Sequence, residues 1–195
     1  MSRQRLKSED RKGQIKQAAL EIFIDKGFSK TTMDDIVKRA LISKGGLYHH
    51  YGNKEEIFKD LMEDGMYYRE SVIKAYMEKN KNLSKEDLLV NLLLDKMFDT
   101  NPYKTLYVVL LREMSTNSKL RGLYEKVVLE QKKIFFNFCE EIGIKEYRKM
   151  TGEVWMFFIN TMMMGAGLIE EDEEEKVRSM LSVMLKAYMK EECII

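Results

Sequence analysis

Proline, cysteine and histidine are scarce in this sequence, and each shortage argues against a particular kind of structure or site. Pro102 is the one proline among 195 residues, so long helices can run without interruption. The two cysteines, Cys139 and Cys193, stand far apart, and neither belongs to a C-x-x-C motif or has a histidine nearby. We therefore expect no redox or metal pair, and the pattern favours a reducing compartment, the cytoplasm.

The chain's two histidines, His49 and His50, are adjacent. Successive helical side chains point about 100° apart, and no third ligand is close in sequence, so a metal site is not expected. No Ser/His/Asp or Cys/His arrangement and no glycine-rich phosphate loop is visible. The sequence thus predicts neither an enzyme nor a protein that carries a cofactor.

Long hydrophobic runs are also missing. The longest stretch without a charged residue, 154–169, has 16 residues, whereas a membrane helix needs roughly 20. The first residues are polar and charged, unlike a secretory signal. We expect no membrane span.

The formal net charge of +1 hides an asymmetry. Residues 1–60 carry 13 Lys and Arg against 9 Asp and Glu, and residues 61–195 carry 20 against 23. A bias of this size is common by chance, but it suits an N-terminal region that meets a polyanion.

Apolar residues recur at i, i+3 and i+4 through most of the chain, and no convincing alternating run is present. This periodicity predicts an all-α fold. The expected helices cover about 7–26, 31–40, 43–51 and 53–79, and then about 84–98, 103–116, 118–142, 146–168 and 173–191. Gly27, followed by Phe28, predicts a left-handed stop for the first helix.

The stretch "SKGGLYHHYGNKEEIF", residues 43–58, is unusual for a helix because two glycines follow a capping serine. The preceding "TTMDDIVKRA" predicts a short helix capped by Thr31, with Asp34 completing a capping box. Leu47 and Tyr51 are four residues apart and are predicted to face inward together. Lys44, Gly45, Tyr48 and His49 then point outward.

Two short helices joined by the tight turn "LIS" form a helix-turn-helix, whose second helix fits the DNA major groove. A glycine in its first turn, Gly45, lets the backbone approach DNA closely. Lys44 can donate to a guanine edge or a phosphate, and Tyr48 and His49 offer hydrogen bonds and ring contacts. Lys54 and the amides at the start of the fourth helix are expected to bind phosphate.

The segment "AALEIFIDKGFSKTTMDDIVKRALISKGGLYHHYGNKEEIF" resembles the DNA-binding domain of the TetR-type, or tetracycline-repressor-like, regulators over about residues 14–61. The resemblance implies base-facing roles for Lys44, Gly45, Tyr48 and His49. It implies DNA-backbone contacts for Thr32, Ser43, His50 and Lys54. It also implies two domains, a helix-turn-helix domain at 1–52 and a helical effector-binding and dimerisation domain at 53–195.

Two positions depart from the family pattern. The family usually has a small turn residue where this chain has Leu41, and a left-handed conformation would be strained for leucine. Gly46 replaces a residue that is commonly a better helix former, which predicts a recognition helix that DNA helps to order.

The second half of the chain is rich in methionine and aromatic residues. Such residues usually form core, but together they also line adaptable apolar cavities. The candidate effector-pocket residues, with Glu113 and Asn160 as the polar ones, are Tyr107, Glu113, Met114, Phe135, Phe138, Trp155, Phe158, Asn160 and Met162.

The stretch "VWMFFINTMMMGAGLI", residues 154–169, is apolar all round and needs cover on every side. A homodimer through the last two long helices would supply it, with Met163, Gly165, Ala166 and Gly167 at the interface. The sequence therefore predicts a homodimeric regulator that binds a palindromic double-stranded DNA operator, a repressor released by a small apolar or amphipathic effector. The alternatives are a DNA-binding regulator without such an effector, controlled by a protein partner or acting as an activator, and a helical interaction protein.

Overall fold

The computed structural model describes residues 8–192, without the side chains of residues 148, 149, 191 and 192. Lys7, where the first helix was predicted to begin, and Cys193 lie outside the described residues. Residues 8–192 contain helices and no strand, so the all-α prediction is confirmed. The helices are α1 (Ser8–Lys30), α2 (Met33–Ala40), α3 (Lys44–Tyr48), α4 (Lys54–Lys79), α5 (Lys85–Phe98), α6 (Pro102–Glu113), α7 (Ser118–Glu141), α8 (Glu153–Gly165) and α9 (Glu171–Glu192), with short 3₁₀ turns at Lys145–Thr151 and Ala166–Leu168.

Most helix starts follow from side-chain caps. The Ser84 hydroxyl accepts a hydrogen bond from the Asp87 amide at 3.0 Å at the start of α5. Asn101 does the same for the Lys104 amide at 3.0 Å, and Pro102 fills the first position of α6, where no backbone donor is needed.

The end of α1 is bent at Gly27, whose φ of 81° and ψ of 167° suit glycine and few other residues. The positive φ expected at Gly27 is present, but its ψ is not that of the predicted left-handed stop, and α1 continues beyond the bend to Lys30. The bend turns Phe28 into the core, where its ring lies 5.6 Å from the Phe23 ring and 5.1 Å from the Phe58 ring.

The chain forms two compact units. The first comprises the residues up to Gly65 together with 101–127. In it α1 packs against α2 and α6. Its core is built from Ile15, Ala19, Phe23, Phe28, Ile36, Leu47, Ile57, Phe58, Leu61, Leu106 and Leu110. The predicted division at residue 52 stays a prediction.

The second unit comprises residues 66–100 and the chain from Val128 onward. Here α5 packs against α8 and α9. Its buried residues include Leu89, Val90, Met97, Phe98, Phe138, Cys139, Trp155, Ile159, Met163, Leu181, Leu185 and Met189.

One side of α8 is left uncovered by residues 8–192. Met163 is buried in the protomer, whereas Phe157 is 73% exposed. The exposed apolar residues of α8 and the turn after it are Val154, Phe157, Met164 and Leu168, and those of α9 are Met180, Val183, Met184 and Tyr188. The three α8 residues recur at spacings of three and seven, so they form a single stripe.

No helix among residues 8–192 is long and apolar enough to cross a bilayer.

Candidate nucleic-acid interface

The first helix of the predicted helix-turn-helix is capped one residue later than expected. Thr32, not Thr31, is the N-cap: its hydroxyl accepts from the Asp35 amide at 3.2 Å, and the Asp35 carboxylate accepts from the Thr32 amide at 2.9 Å. Thr31 is instead buried, and its hydroxyl donates to the Gly27 carbonyl at 2.6 Å. Lys26, 2.8 Å away, and Thr32 hold the pKa of Asp35 well below its usual value, so this cap stays ionised.

The turn between α2 and α3 keeps a left-handed residue even though that residue is leucine. Leu41 has φ 53° and ψ 41°, and its amide donates to the Lys38 carbonyl at 3.3 Å. Its side chain is exposed, so it contributes little packing against this strain, which costs roughly 1–2 kcal/mol.

The recognition helix α3 is a single short turn, which is stabilised by an N-terminal cap and by two buried side chains. The Ser43 hydroxyl accepts from the Gly46 amide at 3.1 Å, as predicted for its cap. Leu47 and Tyr51 are buried, as predicted, and the Tyr51 hydroxyl donates to Asp60 at 2.9 Å. Burial and this carboxylate raise the pKa of Tyr51, which keeps the hydroxyl protonated as a donor. Because Leu47 and Tyr51 are buried, the opposite side of α3 faces solvent.

The outward side of α3 presents the four residues predicted to face bases. Lys44, Gly45, Tyr48 and His49 are all exposed. The Lys44 ammonium forms an ion pair with Asp34 on α2 at 2.9 Å, which raises the pKa of Lys44. The sequence indicated Asp34, on the exposed face of α2, only as part of a capping box and gave no sign of its ion pair with Lys44.

A basic rim lies beside α3. His50 is half-buried, and its ring centre lies 5.1 Å from that of His49. Burial, the neighbouring His49 and the cations Lys12 and Arg11 lower the pKa of His50. Sequence reasoning missed Arg11 and Lys12, although the density of basic residues near the N-terminus could have pointed to them.

The start of α4 is arranged differently from the expectation that its free amides bind phosphate. The Asn53 side chain accepts from the Glu56 amide at 2.9 Å, and Glu56 accepts from the Gly52 amide at 2.8 Å. Glu55 pairs with Lys119 at 3.0 Å. These amides therefore already have acceptors of their own, and two carboxylates lie beside them.

Lys54 holds the turn between α1 and α2. Its ammonium donates to the carbonyls of Phe28 and Thr31 at 2.7 Å each and of Ser29 at 3.2 Å. It also lies 4.4 Å from the centre of the Phe28 ring. Burial lowers the pKa of Lys54. All three ammonium hydrogens are used within the protein, so the geometry supports a role in positioning rather than the expected phosphate contact.

Glu113 binds the same turn from the other side. Its carboxylate accepts from the amides of Phe28 at 2.6 Å and Ser29 at 2.7 Å, and also from the Ser29 hydroxyl. Sequence reasoning placed Glu113 in an effector pocket. The structure places it instead at the end of α6, where it caps the bend at Gly27.

The other candidate effector residues fall in both units. Tyr107, which is buried, and Met114 belong to the first unit. The rest belong to the second, where Phe138 and Trp155 are buried and the half-buried ones are Phe135, Phe158, Asn160 and Met162. The Trp155 ring lies 5.6 Å from Phe158 and stacks on Tyr188 at 5.5 Å. Their role in ligand binding stays a prediction.

Comparison with known proteins agrees with this geometry. The family described as "Bacterial regulatory proteins, tetR family" matches residues 15–61, the segment from α1 into α4 that contains the helix-turn-helix. The chain is a DNA-binding transcriptional regulator that is similar to the TetR type over this segment. The regulator's relatives are transcription factors and not enzymes.

The similarity extends beyond the matched segment. The regulator is 28% identical over 188 residues to the "Biofilm operon icaADBC HTH-type negative transcriptional regulator IcaR" of Staphylococcus aureus, covering 90% of this chain and 99% of the relative. Among solved structures it resembles a transcriptional regulator from Aquifex aeolicus (25% identity, TM-score 0.63, 91% of this chain and 99% of the other). It also resembles a TetR-family regulator from Syntrophomonas wolfei (17% identity, TM-score 0.68, 94% and 96%).

Proposed function

We propose that this regulator is a homodimeric repressor that binds a palindromic operator in the cytoplasm and is released by a small apolar or amphipathic effector. The observation that carries the proposal is the exposed face of α3, with Lys44, Gly45, Tyr48 and His49 above the buried Leu47 and Tyr51. The Staphylococcus aureus relative is named a negative regulator, which favours repression.

Base recognition falls to the exposed side chains of α3. Tyr48 is 47% exposed, and its hydroxyl and ring suit a base edge and a thymine methyl. Backbone contacts are proposed for Thr32, Ser43 and His50, and we add Lys12 because of its position beside His50.

The apolar stripes on α8 and α9 support the homodimer. Contiguous exposed apolar surface of this kind marks a protein interface, and a second copy would present the same stripes, giving a self-complementary two-fold contact. Added Cβ atoms at Gly165 and Gly167 would meet nothing within 4 Å among the residues that the structure describes, which leaves room for a partner backbone. Met163, predicted at this interface, is buried in the protomer, and we assign its place to Met164.

Release by an effector would act through α4, which begins beside the recognition helix and continues into the second unit. An effector that binds better to one arrangement of α4 shifts the spacing of the two recognition helices in the dimer. The expected coupling is about 1–3 kcal/mol, equivalent to about 5- to 150-fold in operator affinity.

The dimer is tested by light scattering on Phe157→Glu. A charge on the exposed stripe should yield a folded monomer. Tyr67→Glu is the matched control, since Tyr67 is an equally exposed aromatic residue, at 72%, on α4. Met163→Glu should instead unfold the protomer. A wild-type monomer at micromolar concentration would refute the homodimer.

DNA reading is tested by selecting binding sequences from a random pool with the purified protein. Palindromic sites should emerge, with half-sites about 34–36 Å apart or a multiple of that distance. Tyr48→Ala and His49→Ala should each erode discrimination against random DNA by about 1–3 kcal/mol. If both variants keep wild-type discrimination as folded dimers, α3 is not the reading element.

A second candidate function is a DNA-binding regulator that responds to a protein partner or activates transcription. It shares the α3 face and differs only in the signal. A thermal-shift screen of apolar and charged small molecules in which no compound changes melting or operator affinity would favour it.

A further inference from the structure

The second unit contains a cluster of half-buried polar residues at positions where the helix periodicity calls for apolar ones. Arg69 on α4, Lys96 on α5 and Gln131 on α7 each continue a buried stripe of their helix. Each lies three, four or seven residues after a buried apolar residue, which places it on the same side. These apolar residues are Met62, Leu92, Leu93 and Val127.

The two cations use few of their hydrogen-bond donors. The Lys96 ammonium donates to the Gln131 side-chain oxygen at 3.1 Å, and the Arg69 guanidinium donates to the Leu92 carbonyl. Within residues 8–192 these are the hydrogen bonds that the two groups make. An ammonium has three hydrogens to donate and a guanidinium five, so most of their donors are left for another acceptor.

The two charged groups are neighbours, because the Leu92 carbonyl that accepts from Arg69 lies one turn before Lys96 on α5. Both side chains are half-buried rather than fully covered. Burial, with a smaller contribution from the nearby Arg69, nevertheless lowers the pKa of Lys96 to about 8, and burial also lowers the pKa of Arg69. Desolvation disfavours the charged form of both groups, and each side chain is still partly accessible from outside.

Carboxylates compensate Arg69 but not Lys96. Asp95 and Asp99 lie close enough to Arg69 to favour its charged form, although Asp95 also pairs with Arg178 at 3.3 Å. Among the described side chains, none is an acidic partner of Lys96, whose charged neighbour is Arg69. A desolvated cation beside another cation is costly unless an anion joins them.

We propose that Lys96 and Arg69 bind the anionic head group of the effector, a carboxylate or a phosphate ester on an apolar tail. The inference rests on the proposed function, because it assigns that effector its chemistry. The Arg69 guanidinium would bind two oxygens of the anion, Lys96 would contribute its free hydrogens, and Gln131 would hold Lys96 in place. Phe135, half-buried one turn after Gln131, and the buried Phe138 lie on the same stripe of α7 and suit the tail.

Four probes with one tail and different heads test the proposal: octanoate, octyl phosphate, octanol and octylammonium. Calorimetry on the full-length protein should show that an anionic probe binds about tenfold or more tightly than octanol or octylammonium. The preference between octanoate and octyl phosphate identifies the natural head group. Lys96→Met and Arg69→Met should each reduce anion binding about tenfold and leave octanol binding unchanged. Lys74→Met, which removes an exposed lysine from α4, is the control and should bind like the wild type.

A second readout needs no probe. Replacing Lys96 by the similarly sized, apolar methionine removes an uncompensated charge, so Lys96→Met should melt at a higher temperature than the wild type in ligand-free buffer. A lower melting temperature would show that Lys96 serves the fold, and it would overturn the proposal. Equal binding of all four probes, no selective binding of either anion, or wild-type anion affinity in Lys96→Met would also overturn it.

Operator binding separates this inference from the proposed function. If the anion binds at Lys96 and operator affinity does not change, the anion site stands and its effector role fails. If a cationic or neutral compound releases the operator, the effector-controlled repressor stands and the anionic site fails.

Discussion

Replacing Gly45 by alanine should make the protein more stable and a poorer DNA binder. Gly45 lies in the first turn of α3 and is exposed, and a Cβ added there would meet no atom of the described residues within 4 Å. Alanine loses less conformational freedom on folding and prefers the helix, which is worth about 0.5 kcal/mol at such a position. For a chain of this length that corresponds to a rise in melting temperature of about 1–2 °C.

The effect on DNA binding should have the opposite sign. If Gly45 lets the α3 backbone approach the groove, a methyl group pushes the helix outward and disturbs contacts worth about 1–3 kcal/mol each. We expect operator affinity to fall about 10- to 100-fold in fluorescence anisotropy at constant salt. A variant that binds like the wild type would refute the close approach, and one that melts lower would refute the helical geometry assigned to Gly45.

Two other glycines serve as controls for this prediction. Gly122, on α7, also has open space for a Cβ, so Gly122→Ala should melt higher and bind operator normally. Gly46→Ala differs, because its methyl would lie 3.1 Å from the Ser43 hydroxyl that caps α3. We expect it to be neutral or destabilising rather than stabilising.

Three further predictions concern charge at the DNA face. Asp34→Asn should free Lys44 and remove a carboxylate that repels phosphate, so binding to all DNA should tighten; unchanged affinity for random DNA would contradict this. Lys54→Gln should lower the free energy of unfolding by about 2 kcal/mol, because the turn carbonyls lose their donor. The salt dependence of DNA binding should not change. If the slope of log affinity against log salt concentration falls by about 1 per protomer, Lys54 contacts a phosphate instead. The pKa of His50 is lower in the folded state, so the folded state binds a proton at His50 less readily than the unfolded state does. The contribution of His50 to the free energy of unfolding is therefore fully present above pH 6.5, the pKa in the unfolded state, and is lost as the pH falls below that value. A phosphate contact would reverse that preference, so operator affinity should rise between about pH 7.5 and 6 in the wild type but less in His50→Gln, and an equal rise in both would exclude the contact.

Local patterns predicted the helices well but could not choose between neighbouring positions of the same type. In "TTMDD" either threonine has an aspartate three residues later, so the capping box fits both Thr31 and Thr32. The choice depends on the burial of Thr31 and its bond to the Gly27 carbonyl, and these exist only in the folded structure.

The same limit applies to α8. In the run Met162–Met164 every position is apolar, so the sequence does not tell which of these residues lies on the buried side of the helix. In the folded chain Met163 is buried, whereas Met164 is 39% exposed. The face available to a partner therefore follows from tertiary packing and not from the sequence of α8.

Contacts between distant parts of the chain were beyond prediction. Lys54 was expected on DNA and Glu113 in a pocket, and both bind the turn after Gly27. Phe28 and Glu113 are 85 residues apart in sequence, and periodicity within a helix carries no information about such a pair.

This arrangement bears on domain grafting. The segment 15–61 that carries the family pattern ends long before α6, yet α6 supplies the acceptor for two amides in the bend that leads into α2. A fusion that joined α1–α3 and the start of α4 to a foreign effector domain would leave the Phe28 and Ser29 amides without that acceptor. It would also leave Lys54 without the neighbouring carboxylate of Glu113, which favours its charged form. A DNA-binding domain taken from this protein for a fusion has to include residues 101–113 or a designed substitute for Glu113.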